Sequence, residues 1–190
     1  LTGLFDLVEA SGVRRIRLLE VGASAGLNLL LDHYAYRGDS WQFGSADSTV
    51  LFIDPIEGPV QPEHFMITDR AGCDLHPVDA TTTEGRLLLT SFVWPFDLDR
   101  HKRLRLALAI AAEHPVRVIR RVEERGLATA VLTGFDQARA PICVVLDADG
   151  SHPVGVLPQM VRMIEQDKAD IVVGSRNVLD FFETAADPQG

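Results

Sequence analysis

The sequence predicts an α/β fold, Rossmann-like, with a mainly parallel sheet and flanking helices, and three observations lead to it. Short apolar runs typical of buried strands alternate with stretches of helical periodicity. A glycine-rich turn separates the first such strand from the helix that follows, as crossover units often begin. Farther along, an acidic turn follows another apolar run directly. Ligands of open α/β sheets bind at the carboxyl ends of strands, so both turns are candidate sites.

The composition is that of an ordinary globular protein. The chain has 190 residues, of which 46% are hydrophobic, 24% charged and 7% aromatic. This excludes a disordered tail, a collagen-like repeat and a coiled coil. No apolar run approaches the roughly 18 residues that a membrane-spanning helix needs. The first six residues lack the basic start and cleavage site of a signal peptide, and the chain does not begin with Met, so we expect a cytoplasmic fragment of a longer frame.

Charge argues against one class of partner, and cysteine content argues against two kinds of structural site. The formal net charge is −9, which argues against nucleic-acid binding because phosphate contacts need a basic face. The one dense basic stretch, residues 100–105, is interpreted as the solvated face of an amphipathic helix. Only two cysteines occur, Cys73 and Cys143, far apart in the chain. We therefore expect neither a disulfide framework nor a zinc site, and we interpret Cys143 as a small buried hydrophobe.

In the first part of the chain, the patterns predict a short helix ending at Ser11-Gly12 and then an apolar strand, a glycine turn and a helix. The signal weakens over residues 38–85, where only two short β-prone pieces stand out. A buried strand stopped by Pro95 and a clear amphipathic helix follow. The predicted ranges are helix 4–10, strand 14–21, turn 22–26, helix 27–36, β-prone pieces 50–53 and 65–68, strand 86–94 and helix 97–113.

After residue 115, strands and helices alternate at the spacing of parallel crossover units. The predicted ranges are strand 116–119, a helix 122–138 interrupted by two glycines, buried strand 141–146, helix 154–166 and strand 170–173.

The first candidate site is the loop formed by Glu20, Gly22, Ala23 and Gly26. Its E-x-G-x-x-x-G pattern between strand and helix resembles the first motif of S-adenosylmethionine-dependent methyltransferases. The same turn also serves plain packing of a helix on a strand, so two interpretations stay open. An acid at the end of a second strand would normally bind the ribose, and Asp54 is the candidate, farther along than the usual spacing of about 20 residues.

A wider resemblance covers residues 1–115. The blocks at residues 18–29, 72–79 and 91–95 look like an uncharacterised bacterial domain family.

The second candidate site is Asp147-Ala148-Asp149. Two carboxylates one residue apart at the end of a strand can converge on one hard cation, which a diphosphate can then share. An isolated D-x-D, however, is more typical of a helix N-cap or a turn, where Asp is favoured.

The surroundings of this pair point to a family. Residues 125–130, 134–138, 144–153 and 169–176 contain R-G-L-x-x-A, G-F-x-x-A, D-A-D-x-S-H-P and G-S-R in that order. They resemble glycosyltransferase family 2, specifically its polyprenyl-phosphate (dolichyl-phosphate) mannosyltransferase branch. The resemblance implies metal-assisted transfer of a hexose, mannose above all, from a nucleotide-sugar such as GDP-mannose to a polyprenyl phosphate. Such an acceptor would allow at most peripheral contact with the inner face of a membrane.

The resemblance also implies roles for individual residues. Asp147, Asp149 and Ser151 would hold Mg²⁺ or Mn²⁺ against the donor diphosphate. Asp149 and Arg176 would be the catalytic residues, with Arg176 pairing with a phosphate, although a surface arginine at a strand end is the alternative. His152 belongs to the motif but could equally be a loop histidine.

Two sequence motifs of that family are missing, and a third is altered. The family's P-x-Y/F-N-E and D-D-G-S strands do not occur in these 190 residues, and Val154-Gly155 replaces the usual Pro-Glu after His-Pro. We therefore divide the chain into a partial methyltransferase-like unit, residues 1–115, and a partial glycosyltransferase unit, residues 116–190. Glycosyl transfer is the favoured activity; the alternatives are a methyltransferase-like protein and a non-catalytic fusion of two fragments.

Overall fold

The computed structural model describes residues 1–56, 58, 60–122, 125–147 and 152–174. These residues form a mixed α/β structure in which two three-stranded sheets are surrounded by helices. The elements in chain order are α1 (Thr2–Ser11), β1 (Arg15–Val21), a 3₁₀ helix (Leu27–His33), β2 (Ala35–Arg37), β3 (Gln42–Gly44), β4 (Leu51–Ile53), β5 (Met66–Asp74), α2 (Thr83–Ser91), α3 (Leu98–Glu113), β6 (Arg117–Arg120), α4 (Leu127–Gln137), a second 3₁₀ turn (Val154–Val156) and α5 (Leu157–Glu165).

The main sheet is entirely parallel, in the order β1-β5-β6. Arg15 is paired with Met66 at one end and Val21 with Cys73 at the other, with an irregularity between Ile16 and Arg17. Because the strands are parallel, β1 and β5 end at the same edge of the sheet. The predicted α/β class with a mainly parallel sheet is confirmed.

A smaller sheet is inserted between β1 and β5 in the sequence. Its central strand, β2, pairs antiparallel with β3 and parallel with β4. An aromatic cluster covers it: the rings of Phe5 and Phe43 meet edge to face at 5.1 Å, and Tyr36 stacks on Phe52 at 5.1 Å. Such ring pairs stabilise a fold beyond the area that they bury.

Helical elements pack on both faces of the main sheet. On one face, the Cys73 thiol lies 3.9 Å from the Ala130 carbonyl of α4. On the other, Gly72 faces Ala23 and Leu29 of the loop and 3₁₀ helix after β1. The most deeply buried side chains are Val8, Leu29, Leu30 and Val50. Burial of each contributes about 1.5–3 kcal/mol to folding.

Several predicted elements are confirmed at nearly their predicted bounds. The first helix ends at Ser11, and Gly12 caps it in the left-handed conformation, with φ of +67°. The strands at Arg15–Val21 and Arg117–Arg120 and the helix at Leu98–Glu113 also form. The predicted helix over 27–36 is shorter than expected: a 3₁₀ helix ends at His33, and the next residues enter β2.

The predicted buried strand over 86–94 is wrong, because this stretch belongs to α2 and the turn after it. The Thr82 hydroxyl accepts a hydrogen bond from the Gly85 N–H at 3.0 Å and caps the helix. Leu89 and Val93 are buried, whereas Leu87 and Trp94 are exposed. A contiguous apolar run fits a helix as well as a strand, and packing against α3 selects the helix.

Two predicted strands in the last third are also wrong. Residues 141–146 and 170–173 pair with no strand among the described residues. Cys143 is exposed rather than buried, and so are Val145, Ile171 and Val173. Both cysteines are free, as expected. An apolar run forms a strand only where a neighbour accepts its backbone hydrogen bonds.

Within the described part, no helix is long and apolar enough to cross a membrane.

The helical assignment of residues 83–91 leads to a stability prediction. In a strand, residues 87 and 89 would lie on the same face, whereas in α2 Leu89 is 8% exposed and Leu87 is 66% exposed. Leu89→Ala should therefore lower the free energy of unfolding by about 2–5 kcal/mol. Leu87→Ala should change it by less than about 0.5 kcal/mol. Urea denaturation of both variants gives the comparison, and equal losses would contradict the helix.

Candidate functional site

The loop after β1 is held on the end of the neighbouring strand. Two consecutive backbone N–H groups, of Gly22 and Ala23, donate to the Cys73 carbonyl at 2.8 and 3.1 Å. Gly22 and Gly26 have φ of +71° and +70°, and Ser24 between them has φ of +49°. Glycine adopts this conformation without the steric penalty that other residues meet. The predicted turn at residues 22–26 therefore forms, and both glycines are required by its backbone.

Close packing beneath the loop explains a third glycine. A Cβ on Gly72 would lie 2.4 Å from the Cβ of Ala23 and 3.3 Å from Leu29. A side chain at position 72 would push the loop and the 3₁₀ helix off the sheet. Gly26 is similarly close to Val116 and Val118, whose methyl groups lie 3.2 Å from the position of its Cβ. The loop is thus packed between β5 and the approach to β6.

The acid at the end of the adjacent strand is Asp74. Its carboxylate accepts a hydrogen bond from the Ser24 N–H and another from the His76 N–H, each 2.8 Å long. A carboxylate at the end of the strand next to the glycine loop is where dinucleotide-binding folds hold the ribose hydroxyls. Each oxygen of Asp74 keeps a lone pair for a further donor.

The prediction of Asp54 for this role is wrong. Asp54 follows β4 in the small sheet, with φ of +46°, and its N–H donates to the Arg37 carbonyl. The expected spacing of about 20 residues fails because the small sheet is inserted before β5. The signal that could have found Asp74 is Gly72-Cys73-Asp74 itself, in which a strand ends at an acid.

Glu20, the penultimate residue of β1, also faces this loop. Its Oε1 accepts a hydrogen bond from Asn28 Nδ2 at 2.7 Å, whereas its Oε2 is buried and has no hydrogen-bond partner among the described residues. Burial raises the pKa of the Glu20 carboxyl above its usual range, and the charge of Asp74 raises it further against the opposing effect of the Asn28 hydrogen bond. A buried, unsatisfied carboxylate oxygen is costly unless a donor reaches it.

An ion pair and a buried tyrosine support the 3₁₀ helix behind the loop. Arg70 of β5 donates to both oxygens of Asp32, at 2.7 and 2.8 Å, and to the Leu29 carbonyl at 2.8 Å. Tyr34 donates its hydroxyl proton to the Leu27 carbonyl at 2.7 Å, and burial raises its pKa to about 12. These bonds fix the segment that carries Asn28, the partner of Glu20.

Only part of the second predicted site lies among the described residues. Asp149, Ser151 and Arg176 are outside them. Asp147 is exposed, its N–H donates to His152 Nδ1 at 3.1 Å, and its Oδ2 lies 3.6 Å from His152 Nε2. In the described part of the chain, no three His, Cys, Asp or Glu side chains come close enough to hold a metal ion.

Comparison with known proteins assigns the larger part of the chain to a family. Residues 1–146, which include the glycine loop and Asp74, match the family model described as an uncharacterized protein conserved in bacteria (DUF2332). The chain belongs to this family. The predicted resemblance of the first part to an uncharacterised bacterial domain family is confirmed. The predicted division after residue 115 stays a prediction.

A second set of relatives shares a shorter segment. The chain is 43% identical over 72 residues to a dolichol-phosphate mannosyltransferase of Pyrococcus furiosus, which covers 38% of this chain and 20% of that protein. It is 39% identical over 72 residues to an undecaprenyl-phosphate mannosyltransferase of Micrococcus luteus, covering 36% of this chain and 29% of the relative. An uncharacterized glycosyltransferase of Mycobacterium tuberculosis matches at 43% over 68 residues, covering 35% and 30% of the two chains.

The chain thus spans between 20% and 30% of the length of these relatives. The predicted resemblance to glycosyltransferases of the polyprenyl-phosphate mannosyltransferase type is confirmed at the level of a shared segment. No solved structure matches the chain.

The burial of Glu20 leads to a pH prediction. Because its pKa is raised in the folded state, its contribution to stability is present at low pH and is lost as the pH rises through the folded pKa. Glu20→Gln should therefore be more stable than the parent protein at neutral pH and lose that advantage below about pH 4. Urea denaturation across this range tests it, with exposed Glu9→Gln as the control. A variant that is less stable at neutral pH would contradict the prediction.

Proposed function

We propose that this chain binds a nucleoside-containing cofactor of the S-adenosylmethionine class at the glycine loop. The observation that carries the proposal is the position of Asp74, at the end of the strand beside β1 and hydrogen-bonded to Ser24 within the loop. Ribose hydroxyls are donors that a carboxylate in this position accepts. When bound, the cofactor supplies a methyl group to a nucleophile.

The residues at the loop fit such a ligand in two further respects. Glu20 Oε2 is a buried acceptor that no donor of the described residues reaches, and the α-amino group of the cofactor is a donor. Space beside Gly22 is also open, since no atom of the described residues beyond its two chain neighbours lies within 4 Å of the position that its Cβ would take. The loop can therefore bring its backbone close to a ligand at the edge of the sheet, where Asp74 and Glu20 offer acceptors.

Two glycines allow a matched test of cofactor binding. Gly22 and Gly12 both have φ near +70° and open space beside them, but only Gly22 lies in the loop. Calorimetric titration with S-adenosylmethionine should show binding that Gly22→Val weakens by about tenfold or more, or about 1.4 kcal/mol. Gly12→Val carries the same backbone strain and should keep the affinity of the parent protein.

Asp74→Asn separates the ribose contact from the shape of the loop. Asparagine keeps one acceptor oxygen but loses the charge, so affinity should fall by about tenfold while the circular dichroism spectrum is retained. Absence of binding by the parent protein, or an equal loss in Gly12→Val, would refute the cofactor proposal.

We propose, as a second function, that residues 116–190 take part in metal-assisted transfer of a hexose, mannose above all, from a nucleotide-sugar to a polyprenyl phosphate. The similarity to the mannosyltransferases of Pyrococcus furiosus and Micrococcus luteus supports it. The proposed metal ligands are Asp147, Asp149 and Ser151, and Arg176 is proposed to bind a phosphate. Mg²⁺ or Mn²⁺ in this site would stabilise the departing nucleoside diphosphate.

The surroundings of Asp147 support the proposed metal site. Its carboxylate is exposed, and its two contacts with His152 join the two ends of the segment that holds Asp149 and Ser151. We propose that His152 is a positioning residue for Asp147, since its ring contacts both the backbone and the side chain of Asp147.

Titration with GDP-mannose in the presence of Mn²⁺ tests the second function. Binding should require the metal, disappear in EDTA and fall by about a hundredfold in Asp149→Ala, because a hard cation loses a charged oxygen ligand. The exposed Asp136→Ala is the control and should bind as the parent protein does. Metal-independent binding, or equal loss in both variants, would exclude this site, and neither outcome affects the binding of S-adenosylmethionine.

A further inference from the structure

The end of α2 and the start of α3 expose an unusual number of large apolar side chains. Five of them lie within twelve residues and are 65–80% exposed, and the rings of two, Trp94 and Phe96, stack at 5.9 Å. Single exposed apolar residues are ordinary, whereas a contiguous group of this kind marks a surface that contacts another body. We call this group the α2–α3 apolar surface; it consists of Leu87, Phe92, Trp94, Phe96 and Leu98.

Positive charge accompanies this surface. Residues 86–105 contain five Arg or Lys side chains and two Asp, so the stretch is positive in a chain whose formal net charge is −9. One of the two carboxylates, Asp97, caps α3 by accepting a hydrogen bond from the Arg100 N–H at 3.0 Å. Among the ion pairs of the described residues, none involves these five cations.

Some of these cations share a cleft between the two helices. Arg86 and Thr90 of α2 and His101 and Arg105 of α3 line an open space of about 340 Å³. Leu98 lies on the same face of α3 as His101 and Arg105, because residues three, four and seven apart align on a helix. The cleft therefore adjoins the apolar surface, and an anionic group could enter it beside the exposed rings.

The combination of charge and exposed rings selects one occupant. A second copy of the chain, docked by the same surface, would bring two stretches of net positive charge together, which opposes an isologous dimer. An anionic bilayer offers complementary charge on its phosphates and an apolar layer just below them. Trp and Phe side chains flanked by Arg and Lys are the composition of segments that lie in that interface.

We propose that the α2–α3 apolar surface docks this protein on anionic phospholipid bilayers. The rings of Phe92, Trp94 and Phe96 enter the boundary between headgroups and acyl chains, and the cations around Arg105 contact lipid phosphates. This proposal rests on neither of the functions proposed above. It also departs from the sequence prediction that residues 100–105 are only a solvated helix face.

Co-sedimentation with lipid vesicles tests the docking surface. The protein should bind vesicles of phosphatidylcholine mixed with phosphatidylglycerol, bind vesicles of phosphatidylcholine alone far more weakly, and dissociate as salt is raised. Trp94→Ser combined with Phe96→Ser should lower the bound-to-free ratio by about tenfold or more. The matched control combines Ile53→Ser with Ile171→Ser, which removes two side chains that are 69% and 81% exposed elsewhere on the molecule and should bind normally.

Two further measurements separate the contributions of the rings and the charges. In a Trp41→Phe background, where Trp94 is the remaining tryptophan, its fluorescence should shift to shorter wavelength on vesicles containing phosphatidylglycerol. Arg100→Gln combined with Lys102→Gln should weaken binding by about fivefold for each charge removed. Circular dichroism checks that each variant is folded.

Several results would contradict docking on anionic bilayers. Equal binding to both kinds of vesicle, or equal loss in the test and control variants, would overturn the proposal. So would an absence of vesicle binding; self-association or protein binding that Trp94→Ser and Phe96→Ser abolish would then identify the surface as a protein interface.

Discussion

The fit of the glycine loop against the end of β5 is the constraint on which the rest of the structure depends. Gly72 has no side chain, so Ala23 and Leu29 lie directly on the strand, and a Cβ there would be 2.4 Å from Ala23. Two N–H groups of the loop bond to the Cys73 carbonyl, and the Asp74 carboxylate bonds to Ser24. This close contact aligns the parallel strands, positions the 3₁₀ helix and brings Glu20 and Asp74 to the same edge of the sheet.

The inserted small sheet keeps this edge intact while separating its parts in the sequence. Residues 35–53 form three short strands whose aromatic side chains pack among themselves and against Phe5 of α1. Because this unit has its own aromatic cluster, it extends the chain between β1 and β5 without disturbing their pairing. The distance along the chain between the glycine loop and its acid is therefore a poor guide to their distance in space.

Residues 1–146 match the family model and contain the loop site, and a shorter segment of the chain is shared with mannosyltransferases. The family match covers residues 1–146 and therefore includes β6 and α4, both of which contact the strands of the first part. The second segment contributes Asp147 and His152, whose ring contacts both the backbone N–H and the carboxylate of Asp147. The two proposed sites use different chemistry: the first offers half-buried carboxylate acceptors to a nucleoside, whereas the second needs a cation to bring carboxylates and phosphates together.

Local sequence was sufficient for the elements whose signals lie within a few residues. Gly12 ends α1, the glycines at 22 and 26 form the turn, and Asp97 begins α3, because each conformation or cap depends on the residue itself. Tertiary packing determined the secondary structure of the apolar runs. Residues 83–91 are helical because they pack against α3, and residues 141–146 and 170–173 pair with no strand among the described residues. It also decided which acid joins the loop, Asp74 rather than Asp54, since the pairing of β5 with β1 sets that neighbour. Hydrophobicity specifies that a segment tends to be buried, but the partner that buries it is specified only by the folded chain.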